Sequence, residues 1–170
     1  MIYLLDANVL ITAHNQYYPI NRIPEFWAWL RHMGEAGVIK TPVEIYEEIL
    51  DGGKDEDKDL LLAWCKIEEN KAALLFDEEP DQRLVSQVIE QGYADNLTDD
   101  ELEQIGRDPF LIAYALVSPE NRTVVTTEVS RPGKQRQNRK VPDVCAVFGV
   151  NCRNTFQLLQ TLEFTTGWKP

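Results

Sequence analysis

The sequence predicts an α/β fold, a mostly parallel sheet covered by helices on both faces, in a single domain over residues 1–170. Three features of the chain point there. Short apolar runs at 2–5 (IYLL), 72–76 (AALLF) and 122–126 (RTVVT) alternate with segments of helical periodicity, the pattern of strands joined by helical crossovers. A chain of 170 residues can bury one substantial core and is short for two. No internal repeat or low-complexity stretch divides it.

The first run, 2–5, is expected to be a buried strand that stops at Asp6. Residues 24–36 (PEFWAWLRHMGEA) suit a helix opened by Pro24 in its first turn. Phe26, Trp27 and Trp29 are core candidates on it, with part of that face left for a partner. A short strand is expected at 38–40. Thr41, Pro42 and Glu44 then have the spacing of a capping box, so a helix should run from there to Gly52 and Gly53. The acidic stretch GKDEDKD at 53–59 reads as a solvated turn, 59–68 as a helix, 72–76 as the second strand and 81–92 as another helix. Residues 93–106 are polar and acidic, a loop with a single helical turn in which Asp95, Asp99, Asp100 and Glu101 form a solvated face. Asp108-Pro109 opens the next helix, with Asp as N-cap and Pro at N1. The third strand, 122–126, ends at Thr127-Glu128. A helix at 142–148, an edge strand at 149–152 and a helix at 154–162 close the chain.

Composition narrows the function classes. The apolar fraction is 44%, ordinary for a globular protein, and no apolar run reaches the ~18–20 residues that a membrane span needs. The N-terminus has an early acid and no basic region before it, so it reads as a strand rather than a signal peptide, and a cytoplasmic location is expected. Cys65, Cys145 and Cys152 are odd in number and irregularly spaced, which points to reduced core thiols rather than a disulfide framework or a zinc site. The net charge of −11 weighs against a nucleic-acid partner, because phosphate attracts Lys and Arg. One segment runs the other way. RPGKQRQNRK at 131–140 carries five basic residues and no acid: Arg131, Lys134, Arg136, Arg139 and Lys140.

In folds of this class ligands gather at the carboxyl ends of the strands, and Asp6 and Glu128 each follow one. Every acid also has an ordinary explanation. Asp6 suits a turn cap, Asp108 an N-cap, Glu44 a capping box, and Glu128 the close of a strand. Glu48 lies one turn beyond Glu44 and has no local partner, although an exposed helix acid needs none, while Glu47 points to solvent. Together they mean more than singly. Carboxylates within a few ångströms of one another cannot all stay ionised without compensation. A hard divalent ion such as Mg²⁺ or Mn²⁺ supplies it, keeps several of its waters and binds phosphate.

At this point the chain resembles a known family, the PIN domains. YLLDANVLI resembles the family's first strand with its leading Asp, here Asp6. EIYEEILDG resembles the helix whose Glu stands four residues before a Gly, here Glu48. DPFLIAYAL resembles the Asp-initiated helix, here Asp108, and VVTTE the strand ending in Thr-x-acid, here Glu128. The order and spacing agree over residues 1–130, and VPDVCAVFGVNCRNTFQLL resembles the closing helix, strand and helix. The resemblance implies a three-layer α/β/α Rossmann-like parallel sheet and a metal-dependent endoribonuclease. It also implies the toxin half of a bacterial toxin–antitoxin pair, with an antitoxin protein as candidate partner and a homodimer as candidate assembly. The chain departs from the family at three points. Glu128 stands where Asp is more usual, Glu44, Glu47 and Glu48 crowd one helix, and the stretch 53–107 is long.

On that reading Asp6, Glu48, Asp108 and Glu128 are the catalytic and metal-binding acids for Mg²⁺ or Mn²⁺, with Glu128 acting through water or in support. Asn8 either orients a carboxylate or phosphate or is a turn amide, and Thr126 or Thr127 either bonds a carboxylate or phosphate or serves β-propensity alone. Arg131, Lys134, Arg136, Arg139 and Lys140 are expected along the RNA backbone. Two alternatives stay open: a PIN-like module that binds RNA or protein without cleaving, and a DNA-cleaving enzyme of the same fold. A haloacid-dehalogenase-type phosphatase would need a second Asp where Asn8 stands. A nucleotide-binding fold would need a Gly-rich loop after the first strand, and a response-regulator receiver would need paired acids near the first strand and a Lys.

Overall fold

The computed structural model describes residues 1–52 and 59–169. Its centre is a five-stranded, all-parallel sheet in the order β3-β2-β1-β4-β5, flanked by helices as a three-layer α/β/α sandwich. The strands are β1 (Ile2–Leu5), β2 (Ile39–Pro42), β3 (Leu75–Phe76), β4 (Arg122–Val125) and β5 (Asn151–Arg153). The helices among the described residues are α1 (Ala7–Thr12), α2 (Pro24–Glu35), α3 (Val43–Gly52), α4 (Leu60–Lys66), α5 (Glu68–Leu74), α6 (Gln82–Gln87), α7 (Asp99–Ile105), α8 (Asp108–Leu116), α9 (Val141–Val147) and α10 (Thr155–Thr161). A π-helical turn extends α1 over Ala13–Tyr17, and another extends α6 over Val88–Tyr93.

The chain lays down β1, moves outward through β2 and β3, then returns to place β4 on the other flank of β1. The strand order therefore reverses between β1 and β4, paired in register from Ile2–Arg122 to Leu5–Val125. Such a reversal opens a crevice beyond the strand ends. Leu4, Leu5, Val124 and Val125 are fully buried, as continuous apolar runs of a sheet covered on both faces should be.

Several elements differ from expectation. Thr41 and Pro42 do not start a helix. They finish β2, where Thr41 pairs with Leu75 and Pro42 with Phe76, and α3 begins at Val43. Sheet pairing claims the backbone that a capping box would use, and the buried Thr41 hydroxyl has no partner among the described residues. The apolar run 72–76 is divided. Its first three residues complete α5, which buries Asn70, Ala73 and Leu74 at helical spacing, and only two form a strand. Periodicity alone does not separate a buried helix from a strand in so short a run. Residues 99–105, expected to be mostly loop, form α7, started by a capping box between Thr98 and Glu101. The turn expected at 53–59 lies outside the described residues apart from Asp59, which caps α4 by accepting from the Leu62 amide at 3.0 Å.

Phe26, Trp27 and Trp29 are all buried. Tyr18 stacks on Phe26 at 4.4 Å, Phe164 packs against Phe26 and Trp29, and the Trp27 indole donates to the Tyr18 carbonyl at 2.7 Å. That helix face is core. Helix α2 also approaches α5 closely. A Cβ on Gly34 would stand 2.7 Å from the Ala73 carbonyl oxygen, which is backbone and cannot rotate away. Gly34→Ala is therefore expected to destabilise the fold by about 1–3 kcal/mol, the usual range for overpacking, despite Ala's advantage of ~1 kcal/mol within a helix. Urea unfolding of the two proteins measures it, and an unchanged or higher midpoint would contradict the close approach.

Candidate functional site

Asp6 is the first residue past β1, and 3% of its surface is exposed. One carboxylate oxygen accepts from the Thr126 hydroxyl at 2.6 Å, across the β1–β4 seam. The other accepts from the Asn8 amide at a long 3.4 Å, which makes Asp6 the N-cap of α1. The ordinary reading of Asp6 as a cap thus holds, and it occupies one oxygen weakly. Burial drives the Asp6 carboxyl above its ordinary range against these hydrogen bonds, and nearby Glu128 adds to the rise.

Asp108 differs from expectation in a way that bears on function. Arg107 is the N-cap of α8, Asp108 is its first helical residue, and no side-chain capping bond forms there. Capping therefore does not account for Asp108. Its carboxyl is pushed up to about 8, by burial first and then by Asp6, Glu128 and Glu48, with Lys140 pulling the other way. Glu48 on α3 is raised by partial loss of water and by Asp6, and lowered by Arg107. The four expected acids consequently share one field at the C-terminal edge of the sheet. Of the three glutamates on α3 it is Glu48 that joins them. Glu44 instead faces the Tyr114 hydroxyl, with one carboxylate oxygen buried and unpartnered among the described residues. Glu47 is exposed.

Glu128 has donors for both of its oxygens. One oxygen accepts from Lys140 Nζ at 2.6 Å and the other from the Val141 amide, at the start of α9, at 2.8 Å. Its side chain thus reaches across to the start of α9. A cleft of about 430 Å³ opens beside the acids, lined by Asn8, Glu48, Arg107 and Asp108 with Gln104 and Gly106. Arg107 is the cation that sequence reading missed. It donates to the Glu44 carbonyl at 2.7 Å and to Asp51 at 2.8 Å, next to Glu48. Its position directly before Asp108 was the available signal.

The basic segment behaves differently from its residues in isolation. Arg136 pairs with Glu101 at 2.6 Å and donates to the Asn96 side chain and carbonyl. Arg139 donates to the Gly92 carbonyl at 2.6 Å, and Lys140 holds Glu128. Three of the five expected phosphate contacts are thus spent inside the protein, and Glu101 belongs to an ion pair rather than a solvated face. Arg131 and Lys134 remain exposed. Thr127 is half-buried beside the acids, and Thr126 rather than Thr127 bonds a carboxylate. The three cysteines are free thiols. Cys152 on β5 lies against Cys145 on α9, within the field of the acids, and with burial pushes the Cys145 thiol up.

Among the described residues no three His, Cys, Asp or Glu side chains stand as a ready-made metal-binding group. The donor chemistry nevertheless suits a hydrated hard cation, which needs only one or two carboxylates because it keeps much of its water. Asp6, Asp108 and Glu48 are the groups that would hold it, and their mutual repulsion is what a cation would relieve. No helix of the described residues is long and apolar enough to cross a membrane.

The shifts carry a stability consequence. A carboxyl whose folded pKa lies above its unfolded value stabilises the fold while protonated, and that contribution is lost as pH rises through the folded value. For Asp108 the window runs from its ordinary 3.8 to about 8, and Asp6 and Glu48 act in the same direction. Metal-free protein is expected to lose thermal stability across that window. Asp108→Asn should flatten the decline and raise the midpoint at pH 8 by several degrees, at roughly 2–4 °C per kcal/mol for a chain of this size. Calorimetry at pH 5 and pH 8 measures it, and a wild-type midpoint that rises with pH would overturn this view of the acids.

Comparison with curated proteins gives no match, and comparison with solved structures gives none either. A family model spans residues 3–166, nearly the whole chain, and on that coverage the protein belongs to the family described as a domain of unknown function, DUF4411.

Proposed function

We propose that the protein is a metal-dependent endoribonuclease whose site is the crevice between the ends of β1 and β4. The observation that carries this reading is Asp108, which caps nothing and whose carboxyl is driven to about 8 by burial beside Asp6, Glu128 and Glu48. A fold tolerates that concentration of like charge at a functional position far more readily than at a structural one. Mg²⁺ or Mn²⁺ bound there would activate a water and stabilise the leaving oxygen of a phosphodiester. In this reading Thr126 fixes the orientation of Asp6, Lys140 restrains Glu128 in a supporting place, and Arg107 with Asn8 faces the phosphate in the cleft. Arg131 and Lys134 meet the RNA backbone further out, joined by Arg136, Arg139 and Lys140 only where their internal bonds open.

The choice of RNA over DNA, the role as a cytoplasmic toxin, and an antitoxin protein that covers the acidic crevice come from the likeness to PIN domains and stand as parts of the same proposal. Two observations favour a second reading, a module that binds without cleaving. Both Glu128 oxygens are occupied, and among the described residues no three donors are grouped for an ion.

The deciding experiment incubates the protein with mixed-sequence RNA, and separately with DNA, in Mn²⁺, Mg²⁺ or EDTA. Cleavage of RNA with metal, abolished by EDTA, Asp6→Asn and Asp108→Asn, is expected. Folded wild type that stays inert with every metal would leave the binding module as the reading. Thr126→Val gives a finer check, since it removes the hydroxyl that orients Asp6 while keeping its shape. It should reduce activity roughly 10- to 100-fold, the usual cost of losing a residue that orients a metal ligand. Activity at wild-type level would remove Thr126 from the site.

A further inference from the structure

A second cavity adjoins the acidic cleft along the same two helices, and nothing above uses it. Its volume is about 200 Å³. Among the described residues its apolar walls are Ile11 of α1, Ile49 of α3, and Leu61 and Leu62 of α4, and its polar lining is His14, Asn15 and Asp59. Ile49, Leu61 and Leu62 are buried, His14 and Asp59 are half-buried and Asn15 is exposed. Apolar walls with a few polar groups are the makeup of a ligand pocket. The volume falls below the ~300–1,000 Å³ of pockets that enclose a drug-sized ligand, so it suits a single flat heterocycle.

Placement ties this cavity to the acids. On α1, Asn8 lines the cleft and Ile11, three residues on, the cavity. On α3, Glu48 lines the cleft and Gly52, four residues on, the cavity. Residues at these spacings are neighbours on one helix face, about 5–6 Å apart. Both helices therefore give the same offset, one turn from the acids, within reach of the nucleotide beside a phosphate held in the cleft.

Two of the polar groups are fixed before any ligand arrives. His14 Nδ1 accepts from the Ile20 amide at 3.4 Å, and the ring stands edge-on to Trp27. With Nδ1 accepting, Nε2 is the nitrogen that donates. One Asp59 oxygen accepts from the Leu62 amide at 3.0 Å, which leaves the other to accept from a ligand. A donor, an acceptor and the Asn15 amide, which is both, match the edge of a nucleobase, and single-stranded RNA is read on such edges of unstacked bases. A Cβ on Gly52 would meet no atom of the described residues within 4 Å, so the α3 wall is open on that side.

We infer that this cavity is a base subsite, which takes one unstacked base of the RNA beside the scissile phosphate and sets the sequence at which the chain is cut. The inference rests on the nuclease reading of the site. His14, Asn15 and Asp59 are its specificity-determining residues.

The test sequences the ends cut from a randomised RNA in Mn²⁺ by wild type, Gly52→Leu and Asp59→Asn, with thermal unfolding to show that each variant is folded. Leu at position 52 extends into open space, while Asn at 59 still caps α4 and exchanges the free carboxylate oxygen for an amide. Wild type is expected to favour one base at a single position next to the cut by roughly 10-fold or more, the discrimination that well-placed bonds to a base edge supply. Gly52→Leu should cut more slowly and use the four bases about equally, and Asp59→Asn should weaken or change the preferred base. Wild type that cuts without preference beside the scissile bond would overturn the inference and leave the nuclease reading standing. A wild-type preference that survives in folded Gly52→Leu would overturn it too. If Gly52→Leu does not fold, Asp59→Asn decides, and an unchanged preference there overturns the inference. Wild type that cuts no RNA with any metal would overturn both.

Discussion

The hydrogen bond between Asp6 and Thr126 joins the ends of the two central strands at the place where the sheet reverses its order. Its donor and acceptor are both buried, so it forms where water competes least and where a lost partner is most costly. Register depends on it in both directions. The in-step pairing of β1 with β4 from Ile2–Arg122 onward brings the two residues level. Their bond then ties the buried Asp6 carboxylate into the protein at the end of β1. Asp108, Glu48 and Glu128 are delivered to that point by three separate elements, α8, α3 and the segment after β4. The site is therefore assembled by tertiary packing around one pre-set residue.

Much of this could be read from the chain. The strands at 2–5 and 122–126 announced themselves as apolar runs ending in polar residues, and the helices at 24–35, 60–66 and 108–116 by periodicity. The positions of Asp6 and Glu128 at strand ends followed from the parallel sheet. Other parts depended on partners distant in sequence. Thr41 carried a clear capping signal, and its pairing with Leu75 in β3 overrode it. Leu75 and Phe76 form so short a strand that the helical periodicity of Ala73 and Leu74 masked it. Helix α7 was legible in principle, since Thr98 and Glu101 have capping-box spacing, but the acidic composition around them suggested solvent.

Charge is organised more economically than the linear sequence suggests. Arg136 of the basic segment neutralises Glu101 of the acidic segment before α8 and donates to Asn96 there, and Arg139 and Lys140 turn inward. Lys140 has the most telling position, because its ammonium pairs with Glu128 and also draws the Asp108 carboxyl back toward ionisation. It acts as a resident counter-ion for acids that would otherwise face one another uncompensated. The internal ion pairs hold the segments on both sides of the crevice together, which keeps α9, and with it Glu128, in fixed relation to β1.

The two outer strands are the shortest in the sheet, Leu75–Phe76 on one side and Asn151–Arg153 on the other. An edge of two or three residues offers few free amides and carbonyls to a strand from another molecule, and a terminal arginine makes the second edge less receptive still. Growth of the sheet from one molecule into the next therefore has almost no template. The sheet edges thus leave contact with other molecules to side-chain surfaces, which can distinguish one partner from another, more than to the sequence-blind ladder of the backbone.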